Sequence, residues 1–241
     1  MLTPAQPPRP SRSSRLPVIV LSLLLAAALV ALGVVTAQLL GTGKAAPPAG
    51  EPAQTSSQPV TVTADAITIG SATAPATVDL YVDYMCPYCG TFDRMNGPEI
   101  AAGVEDGTVL LRLHPMSFLD QASGGTRFST RAASAVVTVA KLAPGSFLAF
   151  HVELFTMQPM ENTPGLTDEQ IAALAKGAGV GDDVVAQLSS GANDAWVASA
   201  TQAAFNSGVT GTPTVLVNGT KVEGNLYQPG ALTQALARAK R

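Results

Sequence analysis

The sequence predicts an α/β domain whose strand–helix framework is interrupted by a block of helices, carried behind one N-terminal membrane-spanning segment. Three observations predict it. Strand-like and helix-like segments follow in the order strand, helix, strand, helical block, hairpin, helix. A run of 24 residues, Pro17 to Leu40, contains no charged residue. The chain's two cysteines, Cys86 and Cys89, lie three residues apart where a strand turns into a helix.

The charge-free run comes first. As a helix it would be about 36 Å long, enough to cross a hydrocarbon core of roughly 30 Å. Arg9, Arg12 and Arg15 precede it with no acid among residues 1–16. The positive-inside rule then keeps the N-terminus in the cytoplasm and places everything after Leu40 outside. A cleaved signal peptide is the alternative. Its apolar core is ordinarily about 7–15 residues, so the longer run favours a retained anchor. No cysteine follows the run at the site a lipoprotein anchor needs. The expected organisation is a cytoplasmic tail over 1–16, a transmembrane anchor over 17–40 and a flexible Gly/Pro/Ala/Ser-rich linker over 41–60. One extracytoplasmic domain over 61–241 follows, on a single-pass protein of the cell membrane.

Within that domain Ala66–Ile69 reads as a short strand. Residues 76–83, with β-branched and aromatic side chains, read as a stronger one. A helix should begin at Cys86, because Pro87 suits the first helical position, where no N–H bond is required. Gly97-Pro98 should break or kink it. Residues 108–114 read as the next strand. A helical insertion is expected over about 126–206, with Phe147, Phe150, Leu154 and Phe155 at helical spacing. Thr167 and Gln170 form the Thr-x-x-Gln pattern of a capping box within it. Thr214–Val217, the Asn218-Gly219 turn and Lys221–Glu223 read as a hairpin, and residues 228–240 as a final helix.

Composition excludes several function classes. A net charge of −3, with no basic stripe and interleaved aromatics, argues against nucleic acid as a partner. Ser117, Ser123 and Ser129 have no nearby His-Asp arrangement to suggest a hydrolase. A metal site would need ligands beyond Cys86 and Cys89. The other soft candidates, His114 and His151, stand at spacings unlike a zinc finger and read as packing or surface residues. No metal and no cofactor is expected. Trp196 reads as core, and Met85, Met95, Met116, Met157 and Met160 as packing rather than an adaptable groove.

The cysteines carry the chemistry. Two cysteines placed at random in this length would fall three apart only about 1% of the time, so the spacing is informative. A bridge between them closes a four-residue ring and constrains little unfolded-chain entropy, so the pair is chemical rather than architectural. At a helix start, free backbone N–H groups and the helix dipole favour the Cys86 thiolate. Cys89, one turn on, is placed to attack back. Cys86 is therefore expected to be the exposed nucleophile and Cys89 the resolving thiol.

Asp83-Tyr84-Met85-Cys86-Pro87-Tyr88-Cys89 resembles the Asp-x-x-Cys-Pro-x-Cys segment of thioredoxin-fold proteins of the DsbA type. Gly208-Val209-Thr210-Gly211-Thr212-Pro213-Thr214 is similar to their Gly-Val-x-Gly-Thr-Pro-Thr segment. The resemblance covers about residues 66–241 and implies a thioredoxin fold with an inserted helical domain. It further implies that Pro213 is cis against the dithiol, and that Thr212 offers its backbone to an extended peptide. Pro213 lies 127 residues after Cys86 (213 − 86), farther than in a plain thioredoxin or glutaredoxin.

The sequence departs from that pattern twice. Many relatives carry a buried acid six residues before the first cysteine. Leu80 stands there, and Asp79, one place off, should face away from the cysteines. Asp83 is the better candidate acid, or else a turn or capping residue. Tyr88 replaces the histidine of strongly oxidising relatives and supplies no cation to the thiolate.

The expected activity is thiol–disulfide exchange with exported proteins, as an oxidase recycled by a membrane redox partner. A reductase or isomerase kept reduced is the second reading. A chaperone or binding module with an inert dithiol is a reading of another class.

Overall fold

The structure, a computed structural model, describes residues 57–239. The expected tail, the anchor and most of the linker lie outside the described residues. Among the described residues no helix is long and apolar enough to cross a membrane.

The domain is built on a six-stranded sheet. Its strands are β1 (Val60–Val62), β2 (Ile67–Ile69), β3 (Ala76–Val82), β4 (Val109–Pro115), β5 (Thr214–Val217) and β6 (Thr220–Lys221), in the order β1-β2-β4-β3-β5-β6. β3 lies inside the sheet, parallel to β4 and antiparallel to β5. Helix α1 (Pro87–Glu105) makes the crossover that a parallel pair requires. Five helices separate β4 from β5: α2 (Phe128–Leu142), α3 (Phe147–Thr156), α4 (Asp168–Gly177), α5 (Asp182–Val185) and α6 (Asp194–Asn206). Helix α7 (Ala231–Ala239) closes the chain. This is a thioredoxin-fold α/β domain with a helical insertion.

Apolar patterning explains the placement. Val78, Leu80 and Val82 of β3 and Leu111 and Leu113 of β4 are buried in one core with Phe92, Ile100 and Val104 of α1. That core continues into the insertion through Phe128, Phe147, Phe150, Leu154 and Phe155. The capping box forms as its pattern predicts: Gln170 N–H donates to the Thr167 hydroxyl at 3.3 Å, and Thr167 N–H to Gln170 Oε1 at 2.8 Å. Asn218 (φ 49°) and Gly219 (φ 76°) turn the β5–β6 hairpin. Asn218 also accepts from Thr77 N–H at 2.7 Å, which ties the hairpin to the start of β3.

Four expectations need correction. Gly97-Pro98 does not end α1, which runs on to Glu105. The burial of Ile100, Gly103 and Val104 holds the second half of the helix where local propensity alone would release it. At Gly103 a Cβ would meet Val109 of β4, so the helix lies very close to the sheet. Residues 60–62, placed at the junction of linker and domain, form an edge strand paired with β2. The second hairpin strand is also shorter than expected and the last helix starts later, at Ala231.

Gly70, after β2, has φ +114°, and a Cβ there would lie 2.6 Å from the Val109 carbonyl oxygen. Gly107 has φ +75° but nothing within 4 Å of its would-be Cβ. Urea unfolding should show Gly70→Ala losing about 2–3 kcal/mol and Gly107→Ala only about 1 kcal/mol. Equal losses would mean that backbone conformation alone, not the contact with β4, fixes Gly70.

Candidate active site

β3 ends at Val82, and the next three residues turn the chain into α1. The turn is closed by Cys86 N–H donating to the Asp83 carbonyl at 3.0 Å and Met85 N–H donating to Asp83 Oδ1 at 2.8 Å. Cys86 is the extended N-cap residue of α1 and Pro87 its first helical residue. Cys86 and Cys89 are free thiols. The structure brings Thr212 to them across 126 residues of sequence: the Cys86 thiol donates to the Thr212 carbonyl at 3.3 Å. The Thr212-Pro213 peptide bond is cis. The expectation of an exposed Cys86 is corrected. Only 4% of Cys86 is accessible, against none of Cys89, so Cys86 is merely the more open of two buried sulfurs.

The surroundings set the two thiols apart. The Cys86 pKa is lowered from 9.0 to about 6, first by a hydrogen bond from the Cys89 thiol. Burial opposes this, while the Thr212 side chain and the Cys89 and Tyr88 backbone N–H groups add to it. No cation is among the causes. The Thr212 hydroxyl is buried and has no partner in this thiol form. Its effect belongs to the thiolate, toward which a hydroxyl hydrogen can rotate. Burial pushes the Cys89 thiol well above its ordinary value, and the hydrogen bond and charge of Cys86 push it further.

Asp83 is wholly buried, and its carboxylate accepts three hydrogen bonds. They come from Met85 N–H at 2.8 Å, from Leu119 N–H at 2.8 Å beyond β4 and from the Ser129 hydroxyl at 2.7 Å in α2. Burial nevertheless raises its pKa from 3.8 to about 6. It is therefore a turn residue, as one reading expected, and also an ionisable group beside the thiols. Asp79 faces elsewhere, pairing with His114 Nε2 at 3.1 Å and Arg112 Nη1 at 3.2 Å, while Leu80 is core.

Several residues that shape the site gave no local signal. Gln158, after α3, donates to the carbonyls of Tyr84 at 3.0 Å and Cys86 at 2.8 Å. Its amide fills the space where a Cβ at Gly90 would stand. The Tyr84 hydroxyl meets His151 Nδ1 at 2.8 Å, and His151 Nε2 meets Asp93 at 3.2 Å, all three residues being buried. Tyr88 is exposed, its ring centroid 5.4 Å from that of Tyr227. Of the methionines, Met85 and Met116 are core, whereas Met95, Met157 and Met160 are exposed. Trp196 packs against the core, and its indole donates to the Thr63 carbonyl at 2.7 Å.

A family model described as thioredoxin matches residues 62–236. The chain is 35% identical over 161 residues to the serine/threonine-protein kinase PknE of Mycobacterium tuberculosis, a match covering 63% of this chain and 28% of the kinase. The chain thus spans about a quarter of the length of that relative. Among solved structures, the reduced disulfide bond oxidoreductase DsbG of M. tuberculosis is 32% identical, with a TM-score of 0.64, over 73% of this chain and 87% of DsbG. Oxidised DsbA of M. tuberculosis is 31% identical, with a TM-score of 0.60, over 73% of this chain and all of that one (100%).

The shifted groups predict a two-sided pH profile for the stability of the reduced protein. Asp83 binds its proton more tightly when folded, so stability falls as pH rises from 3.8 to about 6. Cys86 releases its proton more readily when folded, so stability rises from about pH 6 to 9.0. Urea unfolding across this range should show both limbs. Asp83→Asn should flatten only the lower one, and oxidation of the pair should remove the upper one. An upper limb identical in reduced and oxidised protein would refute the low Cys86 pKa.

Proposed function

The chain belongs to the thioredoxin family, and from that premise we propose that it is a protein thiol–disulfide oxidoreductase. It exchanges disulfides with exported proteins from a membrane-anchored position outside the cytoplasm, chiefly as an oxidase. The observation that carries the activity is the division between the two sulfurs: a Cys86 thiol that ionises near neutral pH at a helix start, backed by a protonated, buried Cys89. The charge-free Pro17–Leu40 run and the arginines before it support the location.

In the oxidising direction a substrate thiolate attacks Cys86 Sγ of the Cys86–Cys89 disulfide. A substrate–Cys86 bond forms, the Cys86–Cys89 bond breaks and Cys89 leaves as a thiolate that takes up a proton. A second substrate thiolate then attacks the substrate sulfur of the mixed disulfide and expels Cys86 as a thiolate. Two electrons pass from the substrate dithiol to the enzyme dithiol, and a membrane redox partner removes them. Once Cys86 is bonded to substrate it has no thiol hydrogen to give the Thr212 carbonyl, which is then free to accept an N–H from an extended substrate chain beside Pro213.

A reductase or isomerase reading has one observation in its favour. Tyr88 stands between the cysteines in place of a histidine, and hydrogen bonds without a cation stabilise the thiolate. A thiol pKa of about 6 lies between roughly 7 for thioredoxin and roughly 3.5 for DsbA. The reduction potential of the pair should accordingly fall between about −270 and −120 mV. A value at or below the first figure would assign the protein to reduction.

The activity itself is tested with cysteine variants of the full chain. Cys86→Ser should abolish exchange with a peptide disulfide. Cys89→Ser should accumulate mixed disulfides, resolved on a non-reducing gel and released by reductant. Trapping by Cys86→Ser instead would reverse the roles, and full activity in cells without either cysteine would leave a binding module.

A further inference from the structure

Resting on the membrane-anchored position proposed above, we infer that the end of the domain opposite the dithiol docks on an anionic phospholipid surface through Lys221 and Arg238, which holds Cys86 away from the membrane. The described residues carry eight basic and sixteen acidic side chains, so the domain as a whole is repelled by such a surface. Six of the eight cations have partners within the domain. Arg112, Arg127, Arg131 and Lys176 pair with Asp79, Asp194, Asp168 and Asp182, while Lys141 bonds to Asn193 and Arg94 to Thr91. Lys221 and Arg238 are both exposed and have no ion pair among the described residues.

These two cations meet in one place. They line a pocket between the β5–β6 hairpin and α7, together with the buried Val217, Val222 and Ala235. No acidic side chain lines it. Arg238 stands in the last turn of α7 and also offsets the negative end of that helix's dipole. Two cations over an apolar floor suit the phosphodiester of a lipid headgroup and the carbon stem behind it, whereas a fully hydrated anion gains nothing from the floor.

The sheet register fixes where this pocket stands. Val60, Ile69, Leu111, Val78, Val217 and Thr220 form one row across all six strands. β1 runs in the same direction as β3, so the chain enters the domain at the end where β3 starts. At that end Gln58 donates to the Glu105 carbonyl at 3.3 Å, and Asn218 N–H donates to the Thr77 carbonyl at 2.9 Å. The cysteines follow the other end of β3, whose seven residues span about 20 Å. Entry point and basic pocket thus share the end remote from the dithiol. A domain anchored through the residues before Val60 carries this end to the lipid at high effective concentration. Each cation near an anionic surface favours docking about fivefold. The contact is therefore strong enough to bias orientation and weak enough to reverse, which leaves the dithiol free to turn toward a membrane redox partner.

The test uses the full chain in lipid nanodiscs and reads the acylation rate of Lys221 by mass spectrometry, with Lys176 of α4 as the reference in the same molecule. On phosphatidylglycerol discs the Lys221-to-Lys176 rate ratio should be about tenfold lower than on phosphatidylcholine discs. Arg238→Gln should lose most of that fall while oxidising a dithiol peptide at an unchanged rate. Salt at about 1 M should abolish the fall, since the Debye length shrinks to about 3 Å. Equal ratios on the two lipids, or an undiminished fall in Arg238→Gln, would overturn the inference. So would an equal fall produced by inorganic phosphate on phosphatidylcholine discs, which would assign the pocket to a free anion. These results leave the anchored position intact, because the chain still copurifies with the discs. A chain that copurifies with neither disc would defeat the anchored position, and the docking with it.

Discussion

The Asp83 carboxylate accepts hydrogen bonds from the turn that delivers the cysteines, from the loop after β4 and from the first helix of the insertion. Three segments distant in sequence converge on one buried group. The arrangement has a cost, because burial disfavours the charge that makes those bonds strong. Three donors offset much of that cost and leave a carboxyl that ionises near neutral pH instead of one permanently protonated. Removing it would free two backbone N–H groups and a hydroxyl, of which the Met85 N–H and the Ser129 hydroxyl are buried away from water. The turn, and with it the sulfurs, depends on this group for its shape.

The insertion is consequently part of the site rather than an addition to it. Ser129 of α2 bonds to Asp83, His151 of α3 bonds to Tyr84, and Gln158 just after α3 holds the carbonyls of Tyr84 and Cys86. Tyr84 and Cys86 are thereby held from the insertion side, while Thr212 meets the Cys86 sulfur from the other end of the inserted stretch. Gly90 completes the fit, since any larger residue there would displace the Gln158 amide. A helical block of this length has a physical reason to persist between β4 and β5: without it the turn would lose both its buried polar partners and the aromatic contacts of Tyr84 with Phe155 and His151.

What could be read from the sequence was whatever is encoded locally. Pro87 marks the first turn of α1, Thr167 and Gln170 cap α4, and Asn218-Gly219 demands positive φ at both positions; each is a statement about three or four adjacent residues. Gly97-Pro98 is also a local signal, and it misled because close packing of Gly103 and Val104 against β4 outweighs it. The short β1 was missed for the same kind of reason, since three residues become a strand only when β2 is there to pair with them. Asp83 stood out only by proximity to the cysteines, and its three partners could not be inferred from spacing. Gln158, Asn96 and Tyr227 gave no signal at all. Their long-range contacts span 72 to 139 residues, and an isolated Gln, Asn or Tyr in a polar stretch is ordinary surface composition.

The two sulfurs also explain how one site can use a reluctant second thiol. In the reduced protein Cys89 gives its proton to a hydrogen bond with Cys86, and the charge on Cys86 further discourages it from ionising. Both influences vanish once Cys86 is bonded to a substrate sulfur, because a mixed disulfide carries no charge and accepts that hydrogen bond poorly. Burial then remains as the main obstacle, opposed by the backbone N–H of Asp83 and the side chain of Thr212, both of which favour the Cys89 anion. Formation of the mixed disulfide therefore itself lowers the barrier to ionising the thiol that must break it. The same coupling keeps Cys89 protonated while Cys86 is free, which under the proposed exchange leaves a single thiolate to meet an arriving disulfide. Selectivity between the sulfurs thus follows from their sharing a proton three residues apart at a helix start, with no cation required.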